Sequence, residues 1–412
     1  MMYLTQWFTP EPNIVKGPSF VRALEAAGHQ VTVVTGLPNY PEGKLYPGYR
    51  LRAIQREMID GVQVVRLPLY PSHDRSSLRR SLNFLSFFVS AFLYCLLRRT
   101  RYDLAYVYQP PITVGLAVAL AGRLRRLPLV LDVQDLWPDT IAATGMPGAD
   151  RLVPLLRPIC DFVYRRAAAI VVQSTGIRRA LIERGVPAAK ITTIHNWADV
   201  SVRPSAEPPA ADSSAARFTI VYGGNFGRAQ ALDRVIDAAG IIRGDRSDIE
   251  IVLYGSGVEE DRLRRQALEL GESAVGIRGR LPQDAIVKAF TQADALLIHL
   301  ADDPLFEITI PSKTQFYLAM GRPIIAGVGG EAARLLEQSG AAIVVPPCDP
   351  RALAEAICTM ADLPIEQRRA MAANGERFYA ERLSLQSAIA QTVEVLRGAR
   401  HAGRRDALAV TS

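Results

Sequence analysis

The sequence predicts an α/β protein built of two doubly wound domains, each a parallel sheet with helices on both faces. Three observations lead there. The chain has 412 residues, too many for one compact core and comfortable for two domains of about 150–200 residues. Short valine- and leucine-rich runs alternate with helical stretches, the pattern of a buried parallel sheet. That alternation stops at Arg203–Arg217, a Pro/Ala/Ser-rich stretch without apolar period that reads as a linker, and then restarts.

Each element has a local reason. Tyr3–Phe8 is the first apolar run, and Thr9–Pro18 is a Pro/Gly-rich loop. Ser19 is placed to cap a helix through Ala27, which Gly28 ends. Gln30–Thr35, Leu104–Tyr108, Leu129–Val133 and Ala169–Gln173 read as strands. After the linker, Phe218–Tyr222 is a strand, Gly223-Gly224-Asn225-Phe226-Gly227 a loop, and Ala231–Ile242 a helix. Further strands fall at Glu250–Tyr254, Ala295–Leu300, Pro323–Ala326 and Ala342–Val345, and the tail Ile365–Arg397 is helical in pattern. Sheets of this kind bind ligands at the carboxyl ends of their strands, so the cleft between two of them is the expected active site.

Hydrophobic residues at 49% and charged residues at 22% exclude disorder, collagen and coiled coil. Cys95, Cys160, Cys348 and Cys358 are too few and too scattered for a disulfide scaffold or a zinc site, and they suit a reducing compartment. The start, Met1-Met2-Tyr3-Leu4, lacks the cationic region and cleavage site expected of a secretion signal. The net charge of +7 is one-sided. Residues 1–200 hold 24 Lys and Arg against 14 Asp and Glu, whereas residues 201–412 hold 24 against 27. Either the first domain faces something anionic, or arginine is simply abundant, at 43 Arg to 5 Lys. No nucleic-acid motif accompanies the charge, so nucleic acid is not an expected partner.

Two motifs point to phosphate chemistry. The loop Gly223–Gly227 lies between a strand and a helix, where backbone N–H groups can approach a phosphate, and Arg228 adds a matching charge. The plain alternative is a tight packing turn. Gly255-Ser256-Gly257 has Glu260 where a dinucleotide fingerprint needs its third glycine, so NAD is not expected. Farther on, Pro311-Ser312 starts a helix that runs to Met320 before Gly321. Lys313 falls in its first turn, where the helix dipole disfavours a cation unless an anion sits there. Together these features suit stabilisation of a departing diphosphate. The chain contains no Asp-x-Asp pair, so nothing in it calls for a metal, and no cofactor is expected; a nucleotide-sugar would be the substrate.

The Gly-Gly-Asn-Phe-Gly-Arg loop, the block from Pro311-Ser312-Lys313 to Gly321-Arg322-Pro323, and the segments Asp132–Asp139 and Ile194–Asp199 resemble family-4 retaining glycosyltransferases of the GT-B fold. Within that family they are similar to a bacterial branch that assembles O-antigen, capsule and colanic-acid-like polysaccharides and includes N-acetyl-fucosamine transferases. The resemblance implies an acceptor domain over residues 1–200, joined by 384–412 crossing back, and a donor domain over 201–383. It implies metal-independent, retaining transfer of a hexose or N-acetylaminosugar from a nucleotide diphosphate, with UDP the expected nucleotide. It places Lys313, Arg228, Asp135 and Glu307 as catalytic candidates. Gly17, Gly224, Asn225, Gly227, Arg280, Ser312 and Gln315 are the donor-binding candidates, with Gly17 closing over the diphosphate and Arg280 near the base. Gln134 stands where many relatives have a histidine near the donor sugar.

This sequence also departs from that pattern. Asn225 and Gln230 stand where many relatives grip the diphosphate with arginine and lysine. Ile308 and Phe316 stand where the family carries two glutamates, with Glu307 one residue from the first. Asp135 reads equally as a helix cap, and His195 and His299 as structural residues.

Leu82–Leu97 is apolar except for Asn83, Ser86 and Ser90, which share one helical stripe. Arg75, Arg79, Arg80, Arg98, Arg99 and Arg101 flank it, and no acidic residue lies between positions 75 and 101. Such a helix is expected to lie on an anionic membrane surface, or else to be deeply buried or a subunit contact. The membrane reading agrees with a lipid-linked saccharide acceptor and with a peripheral enzyme on the cytoplasmic, inner face of the plasma membrane. Two rivals remain: a nucleotide-sugar 2-epimerase of the same fold, and a non-catalytic nucleotide-sugar-binding scaffold.

Overall fold

A computed structural model describes residues 1–12, 15–72, 77–143, 149–198, 217–271 and 275–409. The expected linker, but for Arg217, and Arg75 lie outside the described residues. The chain divides into two compact units, Met1–His195 with Leu385–Ser412, and Asn196–Ser384.

Unit 1 is built on an eight-stranded sheet with the order β3-β4-β2-β1-β5-β6-β7-β8. The strands are β1 Met2–Leu4, β2 Thr32–Gly36, β3 Gln55–Ile59, β4 Val62–Leu67, β5 Ala105–Gln109, β6 Leu129–Val133, β7 Ala169–Val172 and β8 Ile191–Thr193. All neighbours pair in parallel except β3 with β4. The central strands are buried on both faces, which is why they read as unbroken apolar runs. The β3–β4 hairpin was not expected. Its signal is Asp60-Gly61, a two-residue turn with both φ positive, at 50° and 84°, the chemistry of a type I′ hairpin.

Three helices of unit 1 matter below: α1 Pro18–Ala26, α2 Ser77–Leu97 and α3 Ile112–Arg125. Gly17, not Ser19, is the N-cap of α1, because Pro18 takes the first helical position that its fixed φ suits. The expected continuous tail helix is two helices, Ile365–Phe378 and Leu385–Ala409, separated by a π turn at Tyr379–Leu383. The second belongs to unit 1, where it packs on α1, β6 and β7. Arg400 there pairs with Asp103 at 2.7 Å.

Unit 2 carries a six-stranded parallel sheet with the order β11-β10-β9-β12-β13-β14. Its strands are β9 Phe218–Asn225, β10 Ile249–Ser256, β11 Val275–Arg278, β12 Ala295–His299, β13 Ile324–Gly327 and β14 Ala342–Val345. Separate apolar clusters cover its two faces, one around Tyr222, Ile236 and Leu253, the other around Leu296, Tyr317 and Leu336. The strand order reverses between β9 and β12, and between β1 and β5 in unit 1. Crevices for ligands form at the carboxyl ends of such strand pairs.

Candidate active site

In unit 2 the carboxyl end of β9 turns at Gly223–Gly227 and is held from several sides. The Tyr222 hydroxyl donates to the carbonyl of Asn225 at 2.8 Å, and Gly223 N–H donates to the Tyr317 hydroxyl at 3.0 Å. Phe226 N–H donates to the Ser256 carbonyl at 2.9 Å. The adjacent β10 end lies so close that a Cβ on Gly255 would sit 1.8 Å from the Gly224 carbonyl oxygen. Gly255 and Gly257, which fail as a dinucleotide fingerprint, are thus needed for the two loops to pack.

Lys313, in the first turn of the helix Ser312–Ala319, lies over this turn. Its Nζ is 4.9 Å from the Tyr222 ring centroid, and a Cβ on Gly224 would meet it at 2.6 Å. Among the described residues no carboxylate pairs with it. Burial alone pulls its ammonium down to about 8, since an apolar setting disfavours the charged form. A half-buried cation without a counter-charge among the described residues, above a glycine turn at a sheet switch point, has the chemistry to receive an anion.

The other donor-domain candidates divide. Ser312 is the exposed first residue of the Lys313 helix, and Gly224 and Asn225 are exposed on the turn. Glu307 lies across the turn after β13: a Cβ on Gly329 would sit 2.1 Å from its Oε1. Arg228, 89% exposed, pairs with Glu259 at 3.3 Å. Its charge is already met on the solvent side. Gly227 N–H donates to Gln230 Oε1 at 3.1 Å, so that donor is spent inside the loop. Gln315 is turned back on its own helix, its amide nitrogen 3.0 Å from the Pro311 carbonyl. Arg280 is exposed after β11 and makes no described hydrogen bond.

His299, at the end of β12, is buried. Its Nδ1 is 2.9 Å from the Gln230 carbonyl, while its buried Nε2 has no partner among the described residues. Burial pushes its pKa down. The core reading is therefore half met. His195, by contrast, is structural, with Nδ1 2.9 Å from the Gln173 carbonyl.

In unit 1 the carboxyl strand ends hold a second polar cluster. Asp132, the fourth residue of β6, is fully buried and pairs with buried Lys16 at 2.8 Å. The Tyr106 hydroxyl and the Gln134 amide both donate to the same carboxylate. The Tyr3 hydroxyl donates to the Lys16 carbonyl at 2.7 Å. Gly17 is therefore fixed from the preceding residue, and Gln134 is turned inward to Asp132. Asp132 opens the Asp132–Asp139 segment that carries the resemblance, but its pairing with Lys16 and Tyr106 is not legible in the sequence, because a lone lysine in a loop and a tyrosine in an apolar strand carry no motif. Asp135 is half-buried, burial pushes its carboxyl pKa up, and its side chain has no described partner. It is not a helix cap: Trp137 N–H donates to its backbone carbonyl, and the next helix begins at Asp139.

Glu11, 3% exposed, accepts from the N–H groups of Asn39 at 2.8 Å, Tyr40 at 2.9 Å and Phe8 at 3.2 Å. Burial nevertheless pushes its carboxyl up to about 7 from an ordinary 4.5. The folded state then binds more protons than the unfolded one between those values, so this contribution is full below about 4.5 and is lost as pH rises through 7. Melting measured from pH 5 to 8 should show a loss on the order of 2–3 kcal/mol. Glu11→Gln should flatten it; an unchanged pH profile would contradict the assignment.

Known proteins share this architecture. Residues 19–197 match the glycosyl transferase 4-like domain and residues 217–362 the glycosyl transferases group 1 domain. The chain is 27% identical over 394 residues to the putative colanic acid biosynthesis glycosyl transferase WcaI of Escherichia coli K12, covering 92% of this chain and 94% of that one. It is also 27% identical over 244 residues to the probable glycosyltransferase WbjE of Pseudomonas aeruginosa, a match spanning 57% of this chain and 60% of the relative. Among solved structures, Anabaena HepE in complex with UDP and glucose superposes with a TM-score of 0.64 at 17% identity, over 96% of this chain and 98% of that one. The trehalose 6-phosphate synthase of Burkholderia multivorans does so at 0.72 and 13% identity, over 100% and 97%. With both domains matched in tandem on two Rossmann-like sheets, the chain belongs to the family-4 glycosyltransferases of the GT-B fold.

Proposed function

We propose that the protein transfers a sugar from a nucleoside diphosphate donor, UDP-linked, to a lipid-linked saccharide in cell-surface polysaccharide assembly. The observation that carries this reading is Lys313, a half-buried cation over the Gly224 turn with no carboxylate partner among the described residues. As the anomeric C–O bond breaks, its electron pair passes to the β-phosphate oxygen. A cation already desolvated at that place stabilises the developing charge without reorganising. Lys313 and the Ser312 helix start supply this charge from the protein itself, and the reaction is proposed to proceed without metal and with retention at the anomeric carbon. Glu307, in the same unit as Lys313, is proposed to lie near the sugar. The UDP bound in HepE and the colanic acid biosynthesis in the name of WcaI support the donor and the pathway class.

The test is a panel of UDP-, GDP- and dTDP-sugars given to purified protein with and without a polyprenyl diphosphate-linked saccharide. UDP release that requires the acceptor is the expected result. A donor epimerised without acceptor would replace transfer by 2-epimerisation, and no turnover with any pair would leave a scaffold.

A further inference from the structure

The helix α2 is inside out for a water-soluble domain. Its polar stripe faces the protein: Asn83 is 2% exposed, accepts from Gln6 Nε2 at 2.6 Å and donates to the Tyr70 carbonyl at 2.7 Å. Ser86 Oγ accepts from Tyr70 N–H at 2.8 Å, and Ser90 Oγ donates to the Pro68 carbonyl at 2.7 Å. The opposite stripe, Leu78, Leu82, Leu85, Val89, Leu93 and Leu97, is 43–71% exposed. These positions recur three and four apart, so they form one continuous apolar face. The neighbouring helix α3, tied to α2 by Arg125 Nη2 donating to the Arg98 carbonyl at 2.9 Å, adds exposed Leu120 and Leu124.

Charge selects the occupant of this face. Neither helix contains an acidic residue, while Arg99, Arg101, Arg123, Arg125 and Arg126 are all exposed around their carboxyl ends. A second copy would bring like charge against like. An anionic lipid surface meets both features, accepting leucines below its headgroups and arginines among them. Although α2 is long and apolar enough to cross a membrane, its hydrogen-bonded polar stripe and its fully buried Phe87, Ala91 and Cys95 hold it to unit 1. We infer that the α2–α3 face docks on an anionic phospholipid bilayer with α2 lying flat in the interface, not spanning it.

Vesicle cosedimentation of the full chain tests this. Binding to phosphatidylglycerol-containing vesicles should exceed binding to pure phosphatidylcholine vesicles at least tenfold and fall when salt is raised from about 0.1 to 0.5 M. Leu85→Ser/Val89→Ser/Leu93→Ser should weaken it at least tenfold. Arg123→Ser/Arg125→Ser/Arg126→Ser should remove the preference for anionic lipid. Because the substituted side chains are exposed, the melting temperature and donor binding should stay unchanged, and a variant that fails this check is replaced by single substitutions at Leu85 and Leu93. Undiminished vesicle binding by the leucine variant would overturn the inference. So would a dimer in solution that the leucine variant dissociates, without vesicle binding. Since the readout is sedimentation, its failure is distinct from failure of the donor reading.

Discussion

Lys313→Met is expected to lower sugar transfer by about 100- to 1,000-fold, the usual cost of removing one preorganised group at a developing oxyanion, while the melting temperature stays unchanged or rises. The two readouts move apart because the ammonium has no carboxylate partner among the described residues and is held near 8 by burial. Removing an unpaired, partly desolvated charge relieves the fold, whereas a structural lysine would be missed by it. The same value sets a pH dependence. The ligand-free lysine loses its proton as pH rises through about 8, so affinity for free UDP should fall above that pH in the native protein and show no such fall in Lys313→Met. Arg228→Ala is the contrast: its guanidinium is exposed and paired with Glu259, and exposed ion pairs contribute little. Steady-state kinetics and calorimetric titration with UDP check both. Equal losses at the two positions would remove Lys313 from its special place.

Asp132→Ala should destabilise unit 1 by about 3–5 kcal/mol, because it removes the carboxylate that faces the buried Lys16 ammonium and the acceptor that Tyr106 and Gln134 share. The double substitution Lys16→Met/Asp132→Leu should recover most of that loss, since a well-packed apolar pair replaces a buried ion pair at little net cost. Urea unfolding followed by tryptophan fluorescence of Trp137, which lies five residues from Asp132 in unit 1, measures it. A single-substitution loss below about 1 kcal/mol would mean that the pair is solvated.

The sequence carried the fold because a parallel sheet covered on both faces forces each central strand to be apolar at every position. Leu129–Val133 was placed to the residue. It missed β3, whose Gln55–Ile59 alternates in burial as a half-exposed edge strand does, although Asp60-Gly61 announced the turn. Lys313 was legible because a cation in a helix's first turn contradicts a local rule. Where Arg228, Gly227 and Gln315 direct their polar groups was not legible, because a residue type shows what a side chain can bond to, not which neighbour reaches it first.

By itself, then, the order of residues determined two α/β units, their strand grammar, the glycine turn beneath Lys313 and an apolar segment flanked by arginine. Each of these follows from short-range periodicity or backbone preference, which neighbouring residues encode directly. Only tertiary structure decided which polar groups are spent within the protein and which are left over. Glu259 takes Arg228, Gln230 takes Gly227, Asp132 holds Lys16, and the polar stripe of α2 turns inward so that its leucines face out. Those pairings join positions up to 116 residues apart, and folding selects them by the cost of burying a polar group unpaired.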